Sequence, residues 1–145
     1  MDMPLGSPIA TAAASLAFIL AGNARVTLVS EKTGARFTYR VRQPSEGAPH
    51  FVSVLTGSDN EHDFSFLGTI FERKVFKHGR KSKISPNAPS ANAFGWAWRY
   101  LGRGEAPPDC QVWHEGTCGR CGRALTDPES IARGLGPKCA AGGAS

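Results

Sequence analysis

Cys118 and Cys121 stand two residues apart with glycine after each, and Cys139 follows the turn-forming series Gly134-Leu135-Gly136-Pro137. Glycine after each sulfur lets the chain turn tightly and aim both thiols at one point, while the later turn returns a third. Zinc takes four nitrogen or sulfur ligands in a tetrahedron, so this spacing predicts a zinc site. His114, with three residues between it and Cys118, is the expected fourth ligand, and Cys110 is the alternative. Thr126-Asp127-Pro128-Glu129 has a capping-box pattern with proline in the first turn, which predicts one to two helical turns over residues 128–133. Four filled positions leave no open coordination site. The metal is therefore expected to be structural, supplying on the order of 10 kcal/mol of folding energy, and the protein is expected to be a non-enzyme.

Three catalytic readings fit less well. A thioredoxin-like role for the pair needs a strand-to-helix junction in a βαβ fold and leaves Cys139 unexplained. A zinc deaminase needs His-x-Glu and Pro-Cys-x-x-Cys, but Thr117 precedes Cys118 and none of His50, His62, His78 or His114 is followed by x-Glu. Gly79-Arg80-Lys81-Ser82 lacks the spacing of a phosphate-binding loop. The acidic stretch Asp59, Glu61, His62 and Asp63 is expected to be a solvated hairpin tip in preference to a divalent-cation site.

The 145 residues suffice for one modest core and a small appendage. The expected fold is α+β, with a small antiparallel sheet of hairpins packed with one or two helices and a C-terminal zinc-ribbon or knuckle-like module. The expected division is a core over 1–104 with a basic patch and a zinc-binding module over 105–145. Ser7-Pro8 and Gly22-Asn23 bracket an apolar helix from Pro8 to Ala21 that is expected to be buried. Strand patterns at 25–30 and 36–42 flank a turn at Gly34, and a second pair is expected at 50–55 and 63–71. The segment from Arg73 is expected to be a strand pair or a loop turning at His78-Gly79. A second helix, capped by Ser90 and running to Leu101, places Phe94, Trp98 and Leu101 on one face. The uncharged run Ile9 to Ala21 is thirteen residues, short of the roughly 20 that span a bilayer. No Lys or Arg precedes it, unlike a secretory signal, so a cytoplasmic location with no membrane partner is expected.

From His114 to Cys139 the chain resembles a family of small, largely uncharacterised phage, prophage and plasmid proteins. The shared pattern is His-Glu-Gly-x-Cys-Gly-Arg-Cys-Gly-Arg-x-Leu-Thr-x-Pro-Glu-Ser-Ile, then Gly-x-Gly-Pro-x-Cys. The resemblance covers about 26 residues and implies a zinc-binding domain of unknown function in a host-cell cytoplasm. Cys110 lies outside the pattern, which favours His114 as the fourth ligand.

The net charge is +5, yet Arg73, Lys74, Lys77, Arg80, Lys81 and Lys83 alone carry +6 with no acid between them, so the remainder sums to −1. Strand alternation adds Arg36, Arg40 and Arg42 on one face, and Arg120 and Arg123 lie in the expected zinc turn. Such concentration suits phosphate contacts, with His78, Trp96 and Tyr100 as stacking groups. The expected function is a zinc-stabilised, non-catalytic accessory protein that binds DNA or RNA. The alternative is a protein-interaction module, an inhibitor or adaptor acting on a host, replication or defence complex through an acidic partner surface.

Overall fold

The strands Arg36–Arg42, His50–Leu55 and Cys110–His114 bury alternate side chains, so the sheet needs a cover on one face only. The computed structural model describes residues 7–9, 11–57, 63–121 and 134–135. In chain order the elements are β1 (Ser7–Pro8), α1 (Ala12–Ile19), β2 (Asn23–Ser30), β3 (Arg36–Arg42), β4 (His50–Leu55), β5 (Phe64–Phe71), β6 (Val75–His78), α2 (Pro89–Leu101) and β7 (Cys110–His114). The strands form one antiparallel sheet of order β1-β7-β2-β3-β4-β5-β6, in which β1 is a two-residue edge and the other six are full strands. The fold is α+β. Among the described residues, no helix is long and apolar enough to cross a membrane.

Residues 23–78 run as a meander between neighbours, and α2 then carries the chain back across the sheet so that β7 lies beside β2. Five strand intervals of about 4.8 Å separate β6 from β7, roughly 24 Å in all. Thirteen helical residues cover about 20 Å of that distance. Both helices pack on the same face. Their Phe18, Ile19, Phe94, Ala97, Trp98 and Leu101 join Val26, Tyr39, Val41, Val52, Ile70 and Val112 in a single core. Tyr39 Oη donates to the Ser90 carbonyl at 2.6 Å and Trp98 Nε1 to the Lys74 carbonyl at 2.9 Å, fastening α2 to the sheet at both ends. Phe94 fills the space between them, with ring centroids 4.9 Å from Tyr39 and 4.8 Å from Phe76.

Several boundaries differ from those expected. Ser7 and Pro8 pair with β7, where a proline is tolerated at the sheet edge, and the helix starts later, capped by the Thr11 hydroxyl accepting from the Ala14 N–H. In α2 the N-cap is Ala88 and Pro89 takes the first turn, which puts Ser90 inside the helix, where its carbonyl also accepts from Tyr39. The last hairpin turns at Glu72-Arg73, before the expected His78-Gly79: the Lys74 N–H donates to the Phe71 carbonyl, and φ is +54° at Glu72 and +61° at Arg73. The expected boundary after Gly104 precedes β7, a strand hydrogen-bonded to β2 along its length, so residues 110–114 are part of the sheet. The expected short helix over 128–133 lies outside the described residues.

His50, 1 % exposed, donates from Nε2 to the carbonyl of Leu20 at the end of α1. Burial holds its pKa below the ordinary value, against the effect of the Leu20 bond and with a smaller push from Arg73.

Two outcomes follow from these features. Positive φ costs a side chain about 1 kcal/mol or more, so Glu72→Asn with Arg73→Gly is expected to raise Tm by a few degrees, about 2–4 °C per kcal/mol at this size; an unchanged or lower Tm would contradict the turn. The unfolded state protonates His50 below about pH 6.5 while the folded state resists. Stability is therefore expected to be full above that pH and to fall as the pH drops toward the depressed folded pKa. Thermal melts of His50→Gln should show a flatter pH dependence than wild type.

Candidate functional site

The strand β7 delivers His114 to the end of the sheet beside Val26, with its side chain on the core face and 1 % exposed. Its ring lies 6.1 Å from that of Phe18. Immediately after, the chain turns through Gly116, at φ +86°, into the cysteine segment. Cys118 is 1 % exposed, and its Sγ accepts the backbone N–H of Arg120 at 3.4 Å.

Phe18 is the floor of this turn. A Cβ on Gly119 would lie 2.5 Å from Phe18 Cδ1, and one on Gly134 would lie 2.6 Å from the same atom, so both glycines are seated on the ring. Gly119 donates its N–H to the Gly134 carbonyl and accepts the N–H of Asn23, which opens β2. The two parts of the C-terminal segment are thereby joined to each other and to the sheet.

Of the four expected ligands, His114, Cys118 and Cys121 fall among the described residues and Cys139 does not. Cys121 is exposed, Cys139 and Arg123 lie outside the described residues, and among the described residues no three His, Cys, Asp or Glu side chains converge to hold a metal. His114 Nδ1 accepts the Gly116 N–H at 2.8 Å, which puts the proton of the neutral ring on Nε2. Ligation through Nε2 needs that proton on Nδ1, so His114 would have to give up its Gly116 bond to hold a metal. Cys110 stands at the far end of β7, four residues or about 13 Å along the strand from His114. It lines a cavity of about 290 Å³ with Leu28, Phe37 and Trp96. Burial pushes its thiol up, further from the thiolate.

The cationic residues fall into two groups. Arg73, Lys74, Arg80, Lys81 and Lys83 are exposed in the turn and loop on either side of the edge strand β6. Arg36, Arg40, Arg42 and Lys77 point from the sheet face opposite the helices, together with Arg25, which lies on the same side of β2 as Thr27. Arg120 is exposed in the cysteine turn. Arg25 and Arg40 are direct cross-strand partners, and like charges so placed destabilise a sheet. Glu115 lies 4.0 Å from Arg25, and the Arg40 guanidinium sits 4.4 Å from the centroid of the Phe64 ring. Arg25 escaped the sequence reading although it has the parity of Thr27 and Val29.

The expected stacking groups are elsewhere. His78 donates from Nε2 to the Ile84 carbonyl at 2.7 Å, while Trp96 and Tyr100 pack edge to face on the outer side of α2. The aromatic residues on the outer sheet face are Phe51, Phe64, Phe66, Phe71 and Trp113, of which Phe51 is 39 % and Phe71 43 % exposed. Their signal was the parity of strands β4, β5 and β7, and β7 itself had not been recognised as a strand.

Residues 113–142 match a family of unknown function, DUF6011, a segment of about a fifth of the chain that contains the cysteine turn. No curated protein and no solved structure matches the chain.

Filling the space above Phe18 forces either the ring or the turn to move, at a cost of about 1–3 kcal/mol. Gly119→Ala is therefore expected to lower Tm, and Phe18→Leu introduced beside it to recover part of the loss; full stability of Gly119→Ala would show that the turn does not rest on the ring.

Proposed function

We propose that this chain is a zinc-stabilised, non-catalytic nucleic-acid-binding accessory protein of the mobile-element type. The observation that carries the reading is the Arg25–Arg40 cross-strand pair, with Arg42 beside it, on the face that neither helix covers. Glu115 and the Phe64 ring partly offset the repulsion between these two arginines, and phosphates meeting the same face would supply further compensating charge. The exposed cations around β6 extend the positive field along the sheet edge. Lysines there also guard an edge strand from pairing with another chain, so binding has to be tested on its own.

For zinc, the support is the Cys-x-x-Cys spacing, the Arg120 N–H directed at Cys118 Sγ, and the seating of the turn on Phe18. The proposed ligands are His114, Cys118, Cys121 and Cys139. A closed set of this kind supplies folding energy and holds the C-terminal segment against the sheet.

A second reading, docking to a protein partner, draws on the cavity walled by Phe37 and Trp96, the latter 38 % exposed. Salt separates the two, because phosphate contacts weaken steeply with ionic strength while an apolar contact persists.

The deciding experiment measures binding to labelled DNA and RNA across a salt series, on protein whose metal content is known. The expected result is one zinc per chain, a lower Tm after chelation, and a steep salt slope that becomes shallower when Arg73, Lys74, Lys77, Arg80, Lys81 and Lys83 are neutralised. Absence of binding by zinc-loaded protein at low salt would end the nucleic-acid reading and direct attention to the cavity around Trp96.

A further inference from the structure

The outer face of the sheet sorts its side chains into two parallel tracks. Along β2 and β3 the outward residues are cationic or polar apart from Val29: Arg25 lies opposite Arg40, Asn23 opposite Arg42, Thr27 opposite Thr38 and Val29 opposite Arg36. Along β4 and β5 they are apolar or small: Phe51 opposite Thr69, Ser53 opposite Phe66 and Leu55 opposite Phe64. Register joins the tracks row by row, since Arg42 pairs with Phe51 and Arg40 with Ser53. One strand spacing, about 4.8 Å, therefore separates the backbone of Arg42 from that of Phe51, and the Arg40 guanidinium reaches across to the Phe64 ring of β5. Phe51 and Phe66 are themselves neighbours, with centroids 6.5 Å apart.

We propose that this face binds a single-stranded polynucleotide, with its phosphates over the arginine track of β2 and β3 and its bases on Phe51 and Phe66 of β4 and β5. The inference rests on the nucleic-acid reading and adds the site and the strandedness. A single strand has charge along one side and unsaturated rings along the other, the same division that the two tracks present. A duplex keeps its bases stacked inside and shows phosphates on the outside, so it could use the arginines and would leave the rings idle.

Within the arginine track the floor is low and held in place. The Thr27 and Thr38 hydroxyls bond each other at 2.8 Å, and Thr27 is only 7 % exposed. Phe66 lies over Gly79, where a Cβ would run into its ring, so the platform is set by backbone packing before any ligand arrives. On the far side of the arginines, Trp113 is fixed by donating from Nε1 to Gln111 Oε1 at 2.9 Å. Rigid aromatic surfaces lose little freedom on binding.

The test compares binding of the intact zinc-loaded chain to a short single-stranded DNA, the RNA of the same sequence, and the DNA duplex, with Phe51→Ala and Arg42→Gln as variants whose folding is checked by circular dichroism. Single strands are expected to bind more tightly than the duplex, and the DNA and RNA arms tell which polynucleotide is preferred. Phe51→Ala should weaken single-strand binding by about 5- to 100-fold, and Arg42→Gln should lower the log–log salt slope by about 0.7. Photocrosslinking of wild type with iodouracil-substituted single strands should label Phe51 or Phe66. A preference for duplex, a folded Phe51→Ala that binds as wild type, or crosslinks confined to residues 73–83 would overturn this site while leaving nucleic-acid binding intact. Failure to bind any of the three nucleic acids would remove the nucleic-acid reading itself.

Discussion

Gly119 and Gly134 present bare backbone to the ring of Phe18, and this contact links three parts of the chain that are distant in sequence. Phe18 comes from α1, is fully buried, and also meets the ring of His114 at the end of β7. Because neither glycine carries a Cβ, backbone approaches the ring closely enough for Gly119 to bond both Gly134 and Asn23. Removing the ring would open a cavity where helix, sheet and cysteine turn meet, a loss of about 3–5 kcal/mol for a buried aromatic. The cysteine turn is thus held by the core and is not an appendage on a linker. Its position follows from β7, which runs beside β2 and ends in His114.

The sheet divides the molecule electrostatically as well as mechanically. All covering helices lie on one face, where Tyr39, Phe94 and Trp98 bring their aromatic bulk and satisfy their polar atoms on backbone carbonyls. The opposite face keeps arginines and phenylalanines that a second layer would otherwise bury. Burying them would require desolvating several guanidinium groups, which costs several kcal/mol each without partners. An anionic ligand meets that face without this penalty, since it brings the compensating charge. The edge strand β6 adds Lys77 to the same face and closes its hairpin through two left-handed residues.

Much of this was legible in the chain itself. The period-two pattern of 36–42 identified β3 and the direction of its arginines, Gly34 marked the first turn, and the spacing of Phe94, Trp98 and Leu101 marked the buried face of α2. The residues of the cysteine turn were recognisable from local spacing alone. Such features depend on neighbours within a few positions, where the backbone dictates which side chains share a face. Other features left no local mark. β7 is five residues with two apolar members, too short for a period to declare itself, and it is a strand because β2 offers it an open edge. The turn at Glu72-Arg73 has neither glycine nor asparagine, and is imposed by the pairing of β5 with β6.

The sequence by itself determined the α+β class, the concentration of positive charge, and the close spacing of Cys118 and Cys121, because each follows from composition or from spacing along a few residues. The tertiary structure decided which charges share a surface. It put Arg25 opposite Arg40, set Phe51 beside Arg42, and sent Cys110 to the other end of β7 from His114. Register between strands carries that information, and register is settled by burying one face of every strand at once, a condition no single segment can satisfy alone.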